Sequence, residues 1–174
     1  GNGAAFGAST STGAGIKYVA DNGFAVSTTV NSKDAAGTNG FLTNQDNNKI
    51  NVQTAYTKDN YHLSATYSRQ QGWNAWSYYA TKDLYTGADA LTVDSDSVAL
   101  RAWWRPDETG TAVPSVSVGF DTVSYNTSDA GKFKEGEGYS VGLNWSDIFQ
   151  ADDTIGVAFG QPIKGTNNVT SGVE

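Results

Sequence analysis

The sequence predicts an all-β chain, an antiparallel up-and-down transmembrane β-barrel, and three observations carry that prediction. Apolar residues recur at every second position through eight separate stretches, the connections between stretches alternate between short and long, and the positions opposite the apolar ones are small and neutral. The chain of 174 residues is the length of one domain, 1-174.

The stretches come in pairs. Ile16, Tyr18 and Ala20 are followed, across Asp21-Asn22-Gly23, by Phe24, Val26, Thr28 and Val30; Asn-Gly is the strongest short hairpin signal because both residues tolerate positive φ. Ile50, Val52, Thr54 and Tyr56 pair across the tight Lys58-Asp59-Asn60 with Tyr61, Leu63, Ala65 and Tyr67. Val98, Leu100, Ala102 and Trp104 lead through Arg105 to Val113 into Val116, Val118 and Phe120. Tyr139, Val141, Leu143 and Trp145 lead through Ser146 to Asp153 into Ile155, Val157 and Phe159. A weaker ninth strand is predicted over Ala4 to Ala8, where Phe6 is the only strong strand former. Between the pairs lie long polar connections at Ser32 to Asn48, Gln70 to Asp96 and Ser124 to Glu137, with no helical periodicity.

Composition excludes much else. There is no Cys and a single His, which removes disulfide frameworks, thiolate chemistry and multi-histidine metal cages, so no metal and no cofactor is expected. His62 is the only histidine base and no nucleophile elbow exists, so the chain does not read as an enzyme. A net charge of −7 argues against nucleic acid as a partner. The chain lacks Met and opens at Gly1, so a processed chain or a segment is expected. No run of eighteen apolar residues is present, which excludes a spanning helix and says nothing of a spanning strand.

A soluble β-sandwich is the competing fold, and the second face separates the two. A sandwich turns a charged face to water, whereas here that face reads Ala25, Ser27, Thr29, then Asn51, Gln53, Ala55, then Ser64, Thr66, Ser68, and later Ser115, Ser117, Gly119, Ser140 and Gly142. Of the acids only Asp121 falls inside the expected strands. Aromatic residues fall on the apolar face at two levels, as lipid girdles do: Phe24, Tyr56, Tyr61, Trp104 and Trp145 near the short turns, and Tyr67, Phe120, Tyr139 and Phe159 near the long loops.

If the apolar stripe faces lipid, the inward, pore-lining charges follow from parity: Lys17, Lys49, Arg101 and Arg105 against Asp121, with His62 inward as well. The long connections carry nine acids (Asp34, Asp46, Asp83, Asp89, Asp94, Asp96, Asp129, Glu135, Glu137) against four lysines (Lys33, Lys82, Lys132, Lys134). The expectation is a positive interior behind a negative mouth, with Lys17 and Arg101 favouring anions unless they pair with acids outside this segment. Trp73, Trp76, Tyr78 and Tyr79 sit in the longest connection, where folding back would narrow the channel and stack sugars, and packing on a rim or neighbouring subunit is the alternative. Asp94 and Asp96 lack a following calcium-ligand ladder and read as solvated loop acids.

Gly142-Leu143-Asn144-Trp145-Ser146-Asp147-Ile148-Phe149, followed by Asp152-Asp153-Thr154-Ile155-Gly156-Val157-Ala158-Phe159-Gly160-Gln161-Pro162, resembles the OprB-type class of cyanobacterial outer-membrane porins, the carbohydrate-selective or iron-uptake porins. Arg101-Ala102-Trp103-Trp104-Arg105-Pro106, Gly72-Trp73 and Val116-Ser117-Val118-Gly119-Phe120-Asp121 are similar to further strand ends of that class. The resemblance implies a trimer-forming barrel of roughly sixteen strands in the outer membrane, passing small ions, inorganic iron or sugars, of which this chain supplies eight to nine strands. Topology points the same way, since the first strand descends to a short turn and the eighth rises from one. The alternative is a closed eight-stranded barrel, filled by its own side chains and serving a structural or adhesive role through its acidic loops.

Overall fold

The computed structural model describes residues 12–32, 48–71, 94–126 and 133–168. Eight strands run in order: β1 Thr12–Val19, β2 Phe24–Ser32, β3 Asn48–Lys58, β4 Tyr61–Gln70, β5 Ser95–Trp104, β6 Ser115–Tyr125, β7 Phe133–Ser146 and β8 Thr154–Asn168. They form one sheet in chain order, each strand antiparallel to the next. This is the all-β, up-and-down arrangement that the alternation predicts. The sheet is not closed: β1 and β8 are its two edges, so the eight strands do not form a barrel by themselves. The ninth strand expected over Ala4 to Ala8 lies outside the described residues.

Strand ends are where sequence and structure part. Ala20 belongs to the turn, accepting from Gly23 N at 3.2 Å and donating to Phe24 O at 2.8 Å. At the long-loop side the ladders run further than expected. β5 begins at Ser95 and β7 at Phe133, so Asp96, Lys134, Glu135 and Glu137, read as loop charges, stand in strands. The cause is cross-strand polar pairing, with Asp96 opposite Arg69 and Glu137 opposite Lys164. The backbone ladder continues there without an apolar stripe to announce it.

Burial is inverted relative to a soluble domain. The apolar face is the open one, with Ile16 76% exposed, Leu63 53% and Phe159 61%. On the other face, at the long-loop end, Ser68 and Gln70 are fully buried, alongside Ser97, Ala99 and Val123. Three register shifts interrupt the β7–β8 ladder, two around Glu135 and one beside Pro162. Tyr139 is opposite Gln161 but Glu137 is opposite Lys164, so β8 carries one extra residue beside Pro162. Pro162 has no N–H to give and is tolerated in an edge strand at a bulge. Beyond it Ile163 turns to the polar face, where it is buried.

The short turns are built from local side-chain chemistry. Asn22 Oδ1 accepts from Phe24 N at 3.0 Å, and Gly23 adopts φ 91° while its carbonyl accepts from Thr57 N at 2.9 Å. In the β7–β8 turn Asp153 receives the backbone N–H of Ile148, Phe149 and Gln150 at 2.8, 3.1 and 3.1 Å. Asp147 Oδ1 accepts from Asp152 N at 2.7 Å. The hydroxyl of Thr109 and that amide hold the Asp147 carboxyl below its ordinary value. Gly110 N donates to Ser146 O and Trp145 Nε1 to Ala112 O, both at 2.9 Å, so the β5–β6 and β7–β8 turns are tied together.

Two outcomes follow. A Cβ on Gly23 would stand 2.0 Å from Thr57 O, a backbone atom, whereas one on Gly142 meets only the rotatable Ser117 hydroxyl at 2.6 Å. Gly23→Ala is therefore expected to cost about 1–3 kcal/mol in denaturant unfolding of the folded protein, and Gly142→Ala much less. For Asp147 the folded-state pKa is depressed, so its contribution is present above the unfolded value near 3.8 and is lost as pH falls through the lower folded value. Thr109→Val should move the acid-unfolding midpoint of wild-type protein upward, measured by tryptophan fluorescence; an unmoved midpoint would show that the Thr109 contact contributes nothing.

Candidate functional site

Register assigns each side chain to a face and a row. On the polar face the central rows are neutral and mutually bonded: Asn51 Nδ2 donates to Thr29 Oγ1 and Gln53 Nε2 to Thr66 Oγ1, both at 3.0 Å. Toward β6–β8 the face is nearly bare, with Gly119, Ser140, Gly142, Gly156, Ala158 and Gly160.

Arg101 lies across this bare region. It sits opposite Gly119, where an added Cβ would be 3.2 Å from the Arg101 Cδ and Cζ. The missing side chain lets the guanidinium lie flat and reach the next row, where Nη2 donates to both carboxylate oxygens of Asp121 at 2.7 Å. Nη1 donates to Phe120 O at 3.0 Å and Leu100 O at 2.7 Å. The side chains are 25% and 15% exposed. The expected tally of four cations against one acid is thereby corrected: Arg101 and Asp121 cancel each other within this sheet, because a glycine stands between them.

Nearer the short turns three groups stack. His62 is opposite Trp103, their rings 5.8 Å apart and 7° from parallel, and Arg105 Cζ lies 5.1 Å from the Trp103 ring centroid. His62 Nδ1 is 2.7 Å from Thr57 Oγ1, which fixes the ring. Sequence reasoning placed His62 and Arg105 on this face but overlooked Trp103. Its signal was parity, since Trp103 precedes the apolar-face Trp104. Lys17 is exposed on β1, and Lys49 is 3% exposed on β3. Beside Lys49 the row continues through Gln70, Ser95 and Tyr125, all buried. Trp73, Trp76, Tyr78 and Tyr79 lie outside the described residues, as do Asp34, Asp46, Asp83, Asp89 and Asp129 with Lys33, Lys82 and Lys132. Among the described residues no group of three His, Cys, Asp or Glu side chains stands ready for a metal ion.

The apolar face carries the aromatic residues on two slanted lines. Phe24 and Tyr56 share one cross-strand row; Tyr61 and Trp104 share the next row toward the short turns. Trp145 is one row further, since Leu143 lies on the Tyr61 row through Val116. On the other line Tyr67 is one row above Phe120 and Tyr139, and Phe159 one row below them. Both lines step the same way by about one residue per strand. With a rise of about 3.3 Å per residue and about 4.8 Å between strands, the strands incline by about 35° to the perpendicular of these lines. Along β4 (Tyr61 to Tyr67) and β7 (Tyr139 to Trp145) the lines stand about 20 Å apart. Tyr56 and Tyr61 are in ring contact at 6.0 Å. Above the upper line Tyr67 OH donates to Asp96, and Arg69 reaches Asp96 at 3.6 Å with both side chains about half exposed, a pairing of little energetic weight.

No family model, curated protein or solved structure matches the chain.

The Arg101–Asp121 pair is bidentate and mostly shielded from water, so a double-mutant cycle of Arg101→Met and Asp121→Asn on unfolding should return a coupling of about 1.5–3 kcal/mol. Coupling within error of zero would mean that solvent already compensates both charges.

Proposed function

We propose that this sheet is part of the wall of an outer-membrane porin, a water-filled β-barrel through which small ions and hydrophilic solutes diffuse passively. The observation that carries the reading is the apolar face: open across all eight strands and bounded by two parallel aromatic lines. The inclination of about 35° that those lines define is within the strand tilt of outer-membrane-type barrels, so each line runs level with a bilayer plane as an aromatic girdle does. A soluble protein would bury such a face. The neutral, hydrogen-bonded opposite face suits a hydrated interior.

The open edges of β1 and β8 fit further strands of a larger barrel, since backbone groups at bilayer depth need partners. This agrees with the resemblance to the OprB-type cyanobacterial porins, and with it a barrel of roughly sixteen strands, a homotrimer and passage of inorganic ions including iron, or of sugars. Membrane lipid is the partner of the apolar face. The lining charges in this reading are Lys17, Lys49 and Arg105, with His62 on the same face and Arg101 and Asp121 a neutral pair.

Three measurements test the proposal. The folded parent protein in a planar bilayer should give stepwise conductance; silence from folded protein would remove the channel function. Polarised infrared spectroscopy of oriented bilayers should return a strand tilt of about 35°. Leu100→Arg, at the middle of the apolar face, should cost about 2–4 kcal/mol of membrane-folded stability. Equal loss in a Ser140→Arg variant, on the opposite face, would contradict the assignment of faces.

A further inference from the structure

The short-turn half of the polar face holds a groove of about 330 Å³, and its lining includes Lys17, Ser27, Gln53, Thr57 and His62. Each carries a hydrogen-bond donor, with the Thr57 hydroxyl engaged by His62 and one Gln53 N–H by Thr66, and no carboxylate is among the described lining residues. Asp121, the one acid on this face among the described residues, is taken by Arg101. The nearest acids on the short turns, Asp21 and Asp59, are exposed beyond the strand ends. Among the described lining residues the positive charge of Lys17 therefore faces no carboxylate, while Trp103 and Arg105 line a neighbouring pocket on the β5–β8 side.

The His62–Trp103–Arg105 stack has a fixed geometry. Both faces of a free indole would be open to a sugar; here Trp103 is engaged by an imidazole at 5.8 Å and a guanidinium at 5.1 Å. Its role is to hold two nitrogen-bearing heads, and cation–π contact restrains the otherwise mobile Arg105. With Thr57 Oγ1 bonded to Nδ1, the tautomer protonated at Nε2 keeps that N–H as a further donor of His62.

We propose that this groove is a binding subsite for a small polyatomic oxyanion, a phosphate-like solute, with Lys17 and His62 contacting it and Trp103 acting as a positioning residue for His62. Neutral donors along one wall with a lysine at its end are what such an anion needs. The subsite rests on the porin reading only for the route by which the anion arrives.

Inorganic phosphate is the probe. Equilibrium dialysis of radiolabelled phosphate against folded parent protein in detergent should show saturable binding. Lys17→Gln, a change on an exposed edge strand, and Trp103→Leu should each weaken it by about five-fold or more, and Trp103→Phe should restore it. Absence of binding to the wild-type protein, or affinity unchanged in Lys17→Gln and Trp103→Leu, would overturn the proposal. In planar bilayers phosphate should reduce the chloride current of the wild type and not of Lys17→Gln. Binding without any channel activity would sink the porin reading and leave the subsite standing, while conductance without phosphate binding would do the reverse.

Discussion

Everything in this molecule depends on eight strands being paired without a slip through their apolar portions. Side chains alternate with a period of two, so a shift of one residue in any ladder would move a whole strand's apolar set to the opposite face. Six successive pairings keep Phe24, Tyr56, Leu63, Ala102, Val118, Val141 and Phe159 in one row across β2–β8. The slips that do occur, beside Pro162 and around Glu135, lie beyond that row, where the apolar stripe of β8 has already ended. Register is strict where an environment demands it and relaxes outside.

The same ladder explains the electrostatics of the polar face. Arg101 is not directly opposite Asp121; Ala99 is. The ion pair runs diagonally, and it forms because Gly119 leaves the intervening position empty. Charge on such a surface is set by who lies one row away and by how bulky the neighbour is. That leaves Lys17, Lys49 and Arg105 as the cations of this face outside the pair, at different heights from Arg101.

What was legible in the sequence was whatever repeats. Eight stretches, their order, the tight Asp21-Asn22-Gly23 turn and the facing of His62 and Arg105 all follow from parity and turn chemistry. The long-loop ends of β5 and β7 were hidden because Asp96 and Glu137 extend a ladder through polar pairing, and a polar strand resembles a loop when only hydropathy is read. The Arg101–Asp121 pair was hidden because residues twenty apart meet only once register is known. Trp103 was hidden for a smaller reason: two adjacent tryptophans look like one girdle element, although strand geometry must send them to opposite faces.

The ties between the β5–β6 and β7–β8 turns have a meaning for how the sheet comes apart. Trp145, Ser146 and Asp147 clasp Ala112, Gly110 and Thr109 across two hairpins that are already neighbours through β6 and β7. The four strands β5–β8 are thus closed at their base by bonds that the β1–β2 and β3–β4 turns join only through single backbone contacts. Such a quartet behaves as one cooperative block, opening together or not at all, with the β1 edge as the part that exchanges its amides first. An assembly that grows by adding strands would then have a firm margin at one side and a yielding one at the other, and direction in its growth would come from that inequality.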